Sequence, residues 1–312
     1  MSASDQPNVR PVILAEIQVA MRMTCPVLSD LPTFLLDEAG VGAGFTAFAQ
    51  RRLRLLYTGN LILVREDGGD TELAIGAVGE GLDEAALLAH CGSNNGFIVT
   101  RYDQGTAGNN VTISTASEQP QIVAAGVIIK ENGMPVCDYT RNGTASSNGF
   151  EGVFDLTPTD GVSVASVFWV DTNASTNDRL VSLLADGEAN DYSGSNEFIP
   201  FQFEGAGYDR FGSFADAGIR SYFGLTVDTQ YLAFCVNDDS TITNYLNGTG
   251  ATPHSVVEGL PTKFEQFTIG GQSPGGGTSW KGKDFETIIW DSDQSTPRAT
   301  IQSNINAYYS IY

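Results

Sequence analysis

The sequence predicts an all-β protein, a β-sandwich with a few short helices and an N-terminal arm. Between residues 120 and 292, short apolar segments alternate with Gly, Asn, Asp and Pro at intervals of about ten residues. This spacing is typical of sandwiches and barrels, whereas β-α-β units need helical segments between their strands. The 35 glycines suit frequent tight turns, and 312 residues suffice for one large all-β domain. The clearest predicted strands cover residues 162–170, 179–184, 218–225, 231–236, 264–269 and 285–290.

Three helices are expected beside these strands. Residues 46–56 place apolar side chains on one side and arginines on the other, which is the helical pattern. A second helix is expected after Asp83, an N-cap residue, and before Gly92, because glycine favours helix ends. The third closes the chain, with Thr296 as N-cap and Pro297 at its first position.

Residues 1–42 are predicted to form an arm that anchors the sandwich. Apolar and polar residues alternate there with the period of two that a strand with one buried face requires. The apolar positions that define this face include Ile13, Ile17, Val19 and Met21. Such a strand can join the main sheet or pair with the sheet edge of a neighbouring subunit, and both alternatives stay open.

Composition and charge exclude several kinds of partner. The chain has 16 basic and 37 acidic residues and a net charge of −21, so a nucleic-acid partner is not expected, because phosphate binding needs clustered Lys and Arg. No run reaches the roughly 18 apolar residues that span a membrane, so no membrane insertion is expected. The N-terminus lacks the pattern of a signal peptide, which indicates synthesis in a cytoplasm. Four widely spaced cysteines, Cys25, Cys91, Cys137 and Cys235, are expected to be free and buried.

Several stretches resemble known families. Residues 54–59 (Arg-Leu-Leu-Tyr-Thr-Gly) and 102–104 (Tyr-Asp-Gln) are similar to the first part of fungal-type α-L-arabinofuranosidase B catalytic domains. Residues 244–248 (Asn-Tyr-Leu-Asn-Gly) and 269–271 (Ile-Gly-Gly) resemble laminin-G or concanavalin-like domains. The resemblance implies a concanavalin-like jelly-roll sandwich over 43–312, with an N-terminal part (43–125) and the jelly roll itself (126–312). The ending, residues 280–312, is similar to tail and fibre-like proteins of bacterial viruses.

The arabinofuranosidase resemblance has one departure that affects the chemistry. That family holds its catalytic acid in a Gly-Gly-Asp turn, where this chain has Gly270-Gly271-Gln272. An amide cannot donate the proton that a leaving glycosidic oxygen needs. The resemblance also implies a nucleophile between residues 190 and 205, where Glu197 and Glu204 are both candidates. The sequence therefore predicts that the chain is not an enzyme.

Two further kinds of ligand site can be considered. Asp186, Glu188 and Asp191 crowd one loop with oxygen ligands, as calcium sites do, but solvated loop acids are commoner, so no metal or cofactor is expected. Aromatic rings stack on the apolar faces of sugars. The candidate carbohydrate-binding residues are Trp280, Tyr192, Tyr208, Tyr222 and Gln272.

These observations together predict a non-enzymatic structural protein of a bacteriophage virion, either a tail fibre or spike, a baseplate component or a head-decoration protein. It would be made in the host cytoplasm, form a homo-oligomer and contact other virion proteins. One alternative is a module that binds a surface glycan of the host. The other is a glycoside hydrolase that uses an acid different from that of the family.

Overall fold

The computed structural model describes residues 33–139, 149–171, 177–185, 198–204, 210–215, 218–257, 259–271 and 280–312. Two α-helices, α1 (Glu84–Cys91) and α2 (Arg298–Tyr309), and two short 3-10 helices (Leu35–Asp37 and Ala116–Glu118) accompany the strands in these ranges. The strands are β1 (Thr46–Ala49), β2 (Ile62–Glu66), β3 (Glu72–Ile75), β4 (Ala77–Val78), β5 (Gly81–Leu82), β6 (Gly96–Arg101), β7 (Val111–Thr112), β8 (Gln121–Ala124), β9 (Val127–Ile128), β10 (Lys130–Glu131), β11 (Met134–Pro135), β12 (Cys137–Asp138), β13 (Phe150–Leu156), β14 (Val162–Val170), β15 (Arg179–Ala185), β16 (Phe198–Glu204), β17 (Arg210–Ala215), β18 (Gly218–Phe223), β19 (Thr229–Asn237), β20 (Thr241–Leu246), β21 (Thr249–Gly250), β22 (His254–Ser255), β23 (Phe264–Ile269) and β24 (Lys283–Trp290).

Two antiparallel sheets make up the sandwich. In the first sheet the strands follow the order β1, β24, β14, β19, β20. In the second sheet they follow the order β7, β13, β23, β15, β16, β17, β18. A smaller sheet, β3-β2-β6-β8-β9, continues the second sheet through β6 and β7 and reaches the first through β8, β12 and β24. The prediction of an all-β sandwich is therefore confirmed.

The main core lies between the two large sheets. Strand β13 alternates buried and exposed residues along its whole length, as a strand with one solvent-facing side does. The central strands β14 and β24 are buried on nearly every residue because a second apolar cluster covers their outer face. Helix α2 supplies Ile301, Ile305 and Tyr309 to this cluster, and the segment before β1 supplies Leu35 and Leu36.

Local sequence signals predicted six of the longer strands and the starts of both α-helices within about two residues. Strands β14 and β23 have the predicted bounds, and β15, β18, β19 and β24 differ from them slightly. Helix α1 begins as predicted, because the Asp83 carboxylate accepts a hydrogen bond of 3.0 Å from Ala86 N, and Gly92 ends it at φ +55°. Helix α2 begins one residue later than predicted, with Pro297 in the N-cap position.

The helix predicted over residues 46–56 is wrong, since the chain forms strand β1 there. Thr46 pairs with Ile289 and Ala49 with Glu286, so β1 completes the edge of the first sheet beside β24. All four residues of β1 are buried. A helix would bury one face only, and here the sheet edge and the covering 3-10 segment bury both sides of the chain.

The Tyr-Asp-Gln run beside β6 holds β1 in place. The Asp103 carboxylate accepts hydrogen bonds from the backbone N–H groups of Ala47 (2.7 Å), Gly105 (2.7 Å) and Asn109 (2.8 Å). The Gln104 amide accepts from Leu53 N and donates to Arg51 O, both at 2.8 Å. These contacts satisfy backbone groups of β1, of the segment that follows it and of the loop after β6, so the motif has a structural role here.

Glu66 plays a similar role at the turn between β2 and β3. Its carboxylate accepts hydrogen bonds from the N–H groups of Gly68 and Gly69, from both donors of Thr71 and from the Asn94 amide. Burial favours a higher pKa for Glu66, but the hydrogen bonds from Gly68, Thr71 and Gly69 outweigh it and lower the pKa to about 2.

We expect Glu66→Gln to lower the melting temperature at pH 7 and to make it less sensitive to acid. The lowered pKa means that the ionised carboxylate stabilises the fold above the unfolded-state pKa, about 4.3, and that this contribution disappears as the pH falls through 2. Thermal unfolding of both proteins at pH 7, 4 and 2.5 checks this. A gap in melting temperature that stays constant over these pH values would contradict it.

The arm residues Ile13, Ile17, Val19 and Met21 lie outside the described residues, so the arm stays a prediction. Cys91, Cys137 and Cys235 are buried and free, as expected for three of the four cysteines. No helix in the described ranges combines the length and the apolar character needed to cross a membrane.

Candidate functional site

Along the chain, the residues that the sequence nominated for catalysis adjoin or end two strands of the second sheet. Gly270 and Gly271 follow β23, and Glu204 is the last residue of β16. Strand β15 lies between them and pairs with both. Gly270 N donates to Leu180 O, so the turn lies beside the start of β15. Gln202 pairs with Arg179, so the end of β16, with Glu204, lies beside the start of β15 as well. Gln272 and Glu197 themselves lie outside the described residues.

The register separates the two nucleophile candidates. Phe198, the residue after Glu197, begins β16 and pairs with Leu183. Strand β16 then runs about 20 Å to Glu204, at about 3.3 Å per residue. Glu197 therefore adjoins the end of β16 that is remote from the turn, and Glu204 adjoins the near end. The sequence left these two residues as equal alternatives.

Two glycines allow the turn after β23 to pack tightly. Gly270 has φ +83°, and a Cβ atom there would lie 2.5 Å from the Tyr139 ring. A Cβ atom on Gly149 would lie 2.6 Å from both Gly271 N and Ile269 O. The Thr268 hydroxyl donates to Gly271 O at 2.5 Å, and Trp280 N donates to Gly270 O at 3.0 Å. The turn is thus held on several sides.

A buried polar surface lies on the sheet between the turn and Glu204, and we call it the polar face. Phe267 and Leu183 pair across the sheet and point into the core, so their neighbours Thr268 and Ser182, which also pair, point away from it. The exposed fractions of the four members of the polar face are small: Ser182 0%, Thr268 0%, Gln202 1% and Arg179 3%. Several polar groups that converge on one surface outside the core make this surface a candidate binding site.

A β-bulge directs Arg179 onto the polar face. Arg179 pairs with Gln202 and Val181 pairs with Phe201. Between these two pairs β15 therefore contains one extra residue, Leu180. Leu180 and Val181 both join the core, and the Arg179 Nε then donates to Gln202 Oε1 at 3.4 Å. Bulges commonly re-aim a side chain beside an active site.

Asp178 is an acidic residue at the same sheet end that sequence reasoning missed. Phe203 N donates to Asp178 O at 2.9 Å, so the register puts Asp178 across from the residue before Glu204. Asp178 is 1% exposed. The available signal was the polar triplet Asn177-Asp178-Arg179 at the start of a strong apolar strand.

The aromatic candidates divide into two groups. Trp280 is wrong as a sugar platform, because it is 1% exposed and stacks on Phe203 with a ring separation of 4.6 Å, which leaves its faces to the core. Tyr222 is 51% exposed, in β18 at the same sheet end as Glu204, with the Arg210 guanidinium 5.6 Å from its ring. Tyr192 and Tyr208 lie outside the described residues.

No cluster of three or more His, Cys, Asp or Glu side chains suited to a metal ion occurs in the part of the chain that the structure describes. The calcium candidates Asp186, Glu188 and Asp191 lie outside it. The expectation that the chain binds no metal or cofactor therefore stays a prediction.

Comparison with solved structures places this sandwich among glycosidase folds. The chain matches an arabinofuranosidase complexed with arabinofuranosyl-α-1,2-xylobiose at a TM-score of 0.62 and 15% identity, over 85% of this chain and 62% of that one. It matches GH54 α-L-arabinofuranosidases soaked with 4-nitrophenyl α-L-arabinofuranoside and with a cyclic sulfate inhibitor at a TM-score of 0.60, 14% identity and the same coverage. No protein-family model and no curated protein sequence matches the chain.

These matches correct the prediction that the chain is not an enzyme. The three solved proteins matched above are glycoside hydrolases with substrate or inhibitor bound. The amide at position 272 is therefore not sufficient reason to conclude that the chain lacks activity. The chain spans 62% of the length of these arabinofuranosidases. At 14–15% identity the likeness establishes one thing, that this chain has the β-sandwich fold of α-L-arabinofuranosidases.

Proposed function

We propose that the chain is a glycoside hydrolase acting on α-L-arabinofuranosides or closely related pentosides, with Glu204 as its nucleophile. The observation that carries this is the common placement of Glu204, Asp178 and the Gly270-Gly271 turn at the end of the second sheet that also holds the buried polar face. The fold is that of proteins whose bound ligands are arabinofuranosides. Exposed Tyr222, at the same end, offers an aromatic surface for a distal sugar unit.

The second carboxyl group that hydrolysis needs is proposed to be that of Asp178. Retaining glycosidases hold their two carboxyl groups about 5–5.5 Å apart, and neighbouring strands are about 4.8 Å apart. Asp178 directly precedes β15 and lies across from Phe203, the residue before Glu204 on β16, whereas Gln272 follows a strand two positions away from β16. The assignment of the second carboxyl group therefore rests on the position of Asp178 beside the end of β16.

The chemistry then follows in two steps. The Glu204 carboxylate attacks the anomeric carbon, the glycosidic C–O bond breaks, and Asp178 gives its proton to the leaving oxygen. Water, deprotonated by Asp178, next displaces Glu204 from the anomeric carbon and releases the sugar. Arg179 and Gln202 on the polar face supply hydrogen bonds to the sugar hydroxyls.

The direct test is release of 4-nitrophenol from a panel of 4-nitrophenyl pentosides by the purified full chain. Turnover of the α-L-arabinofuranoside or a related pentoside supports the proposal. No release from any member of the panel, with the chain folded, would overturn it.

Asp178→Asn tests the assignment of the acid. We expect a loss of about 10²–10⁴-fold in kcat/KM on an alkyl arabinofuranoside, whose leaving group needs a proton. The loss on the 4-nitrophenyl substrate should be much smaller, because 4-nitrophenolate leaves without protonation. Equal losses on both substrates would contradict a role as general acid.

The virion setting is a separate proposal that rests on the similarity of residues 280–312 to tail and fibre-like proteins. In that setting the protein would be a homo-oligomer assembled with other virion proteins in the host cytoplasm, and its sugar would belong to a surface glycan of the host. Mass spectrometry of purified particles from the source that encodes the chain tests this setting. A chain that is expressed but missing from the particles would contradict it.

A further inference from the structure

The turn of the candidate site rests on a buried aromatic ring. A Cβ atom on Gly270 would come within 2.5 Å of Tyr139 Cε1, so the ring touches the backbone of the turn directly. Tyr139 is 1% exposed, meets Phe150 edge-on at 6.2 Å and donates its N–H to Gly282 O at 3.0 Å. These contacts leave the ring little freedom to move away from the turn.

A buried ion pair lies behind this ring. Arg101, 1% exposed, forms an ion pair with Asp284, which is fully buried. The Arg101 guanidinium lies 5.9 Å from the centre of the Phe150 ring and 5.7 Å from that of Phe48. Burial raises the pKa of Tyr139 well above its ordinary value, and the positive charge of Arg101 opposes that rise. The phenol therefore stays neutral next to the guanidinium.

Packing alone gives no reason for this arrangement. Burying an ion pair costs more than an apolar pair of the same volume unless its remaining donors are satisfied. Here Arg101 Nε and Nη2 and the Tyr139 hydroxyl make no hydrogen bond of regular geometry among the described residues, and the guanidinium and the phenol interact with each other. In some proteins, polar groups kept in a core at such a cost hold one defined geometry.

We propose that Asp284, Arg101 and Tyr139 are positioning residues that set the location of the Gly270-Gly271 turn relative to Glu204. The effect on the reaction passes through Tyr139, and this part of the inference rests on the proposed hydrolase function. The effect on the turn itself does not depend on any activity.

Tyr139→Leu tests the proposal with two independent readouts. The first is hydrogen exchange of the Trp280 amide, which donates to Gly270 O and so reports the order of the turn. We expect exchange to be at least tenfold faster. The second is kcat on a 4-nitrophenyl pentoside, which we expect to fall about 10²-fold. The turn holds Thr268 of the polar face through Gly271 O, and a misplacement of about 1 Å has an effect of that size.

Phe234→Leu is the matched control, since it also shortens a fully buried ring but lies in the apolar cluster under α2. It should lower the melting temperature without faster exchange at Trp280. Arg101→Lys, a milder change, should speed exchange at Trp280 as well. Equal exchange at Trp280 in Tyr139→Leu and Phe234→Leu would overturn the positioning role, whether or not the chain hydrolyses sugars.

The direct contact can be tested separately. Gly270→Ala should speed hydrogen exchange of the Trp280 amide much more when Tyr139 is present than in the Tyr139→Leu background. In that background the ring no longer opposes the new methyl group. Strain from the positive φ is common to both backgrounds and cancels in the comparison. Equal effects of Gly270→Ala in the two backgrounds would contradict the contact.

Discussion

Glu204→Gln is expected to reduce kcat/KM on 4-nitrophenyl α-L-arabinofuranoside by about 10³-fold or more, or about 4 kcal/mol of transition-state stabilisation. The amide is nearly isosteric with the carboxylate but cannot form the glycosyl-enzyme bond. Since Glu204 ends a strand, the substitution should leave the melting temperature close to that of the wild type. Steady-state kinetics with both proteins at equal folded concentration checks the prediction.

Glu72→Gln is the matched control, because Glu72 is exposed on β3 in the small sheet and has no part in the polar face. It should leave the kinetics unchanged. The smaller Glu204→Ala side chain should leave room for azide, and added azide should restore turnover and yield a glycosyl azide, as expected for a lost nucleophile. Full activity in Glu204→Gln would remove the basis for the proposed mechanism.

The second large effect concerns stability. Glu286→Gln is expected to lower the free energy of unfolding by about 3–5 kcal/mol, because it leaves a buried guanidinium without its main counter-charge. The Glu286 side chain is 1% exposed and accepts hydrogen bonds from Arg51 Nε at 2.7 Å, from Arg51 Nη2 at 3.1 Å and from the Tyr309 hydroxyl at 3.1 Å. The substitution therefore weakens the contact between α2 and the first sheet as well. Urea unfolding measures the loss.

The comparison for this prediction is an exposed ion pair. Asp70 lies 2.7 Å from Arg65, and its side chain is 77% exposed, so Asp70→Asn should cost only about 0.2–1 kcal/mol. Similar losses in the two variants would show that burial of the Arg51–Glu286 pair has no special energetic weight.

Six of the longer strands and both α-helices could be predicted from local sequence because turn residues and caps mark their ends. Asp83 and Gly92 delimit α1 through contacts within a few residues, and β14 and β23 are continuous apolar runs. The error at β1 has a different origin. Residues 46–56 have helical periodicity, but pairing with β24, some 240 residues later, overrides it.

The candidate site was predictable only in part. The resemblance directed attention to position 272 and to two glutamates, of which the strand register favours Glu204. It gave no sign of Asp178 or of the polar face, because Ser182, Gln202 and Thr268 are isolated polar residues within apolar strands. Their common surface depends on which strands are neighbours, and Trp280 was misjudged for the same reason.

By itself, the sequence determined the class of fold, the position of most turns and the absence of clustered basic residues, because each depends on composition or on neighbours along the chain. Only the tertiary structure decided which end of the second sheet carries the acidic residues, and that a bulge at Leu180 directs Arg179 onto the polar face. Those features depend on pairing between β15, β16 and β23. Pairing over such separations is set by burial of both sheets together and leaves no local trace in the residues involved.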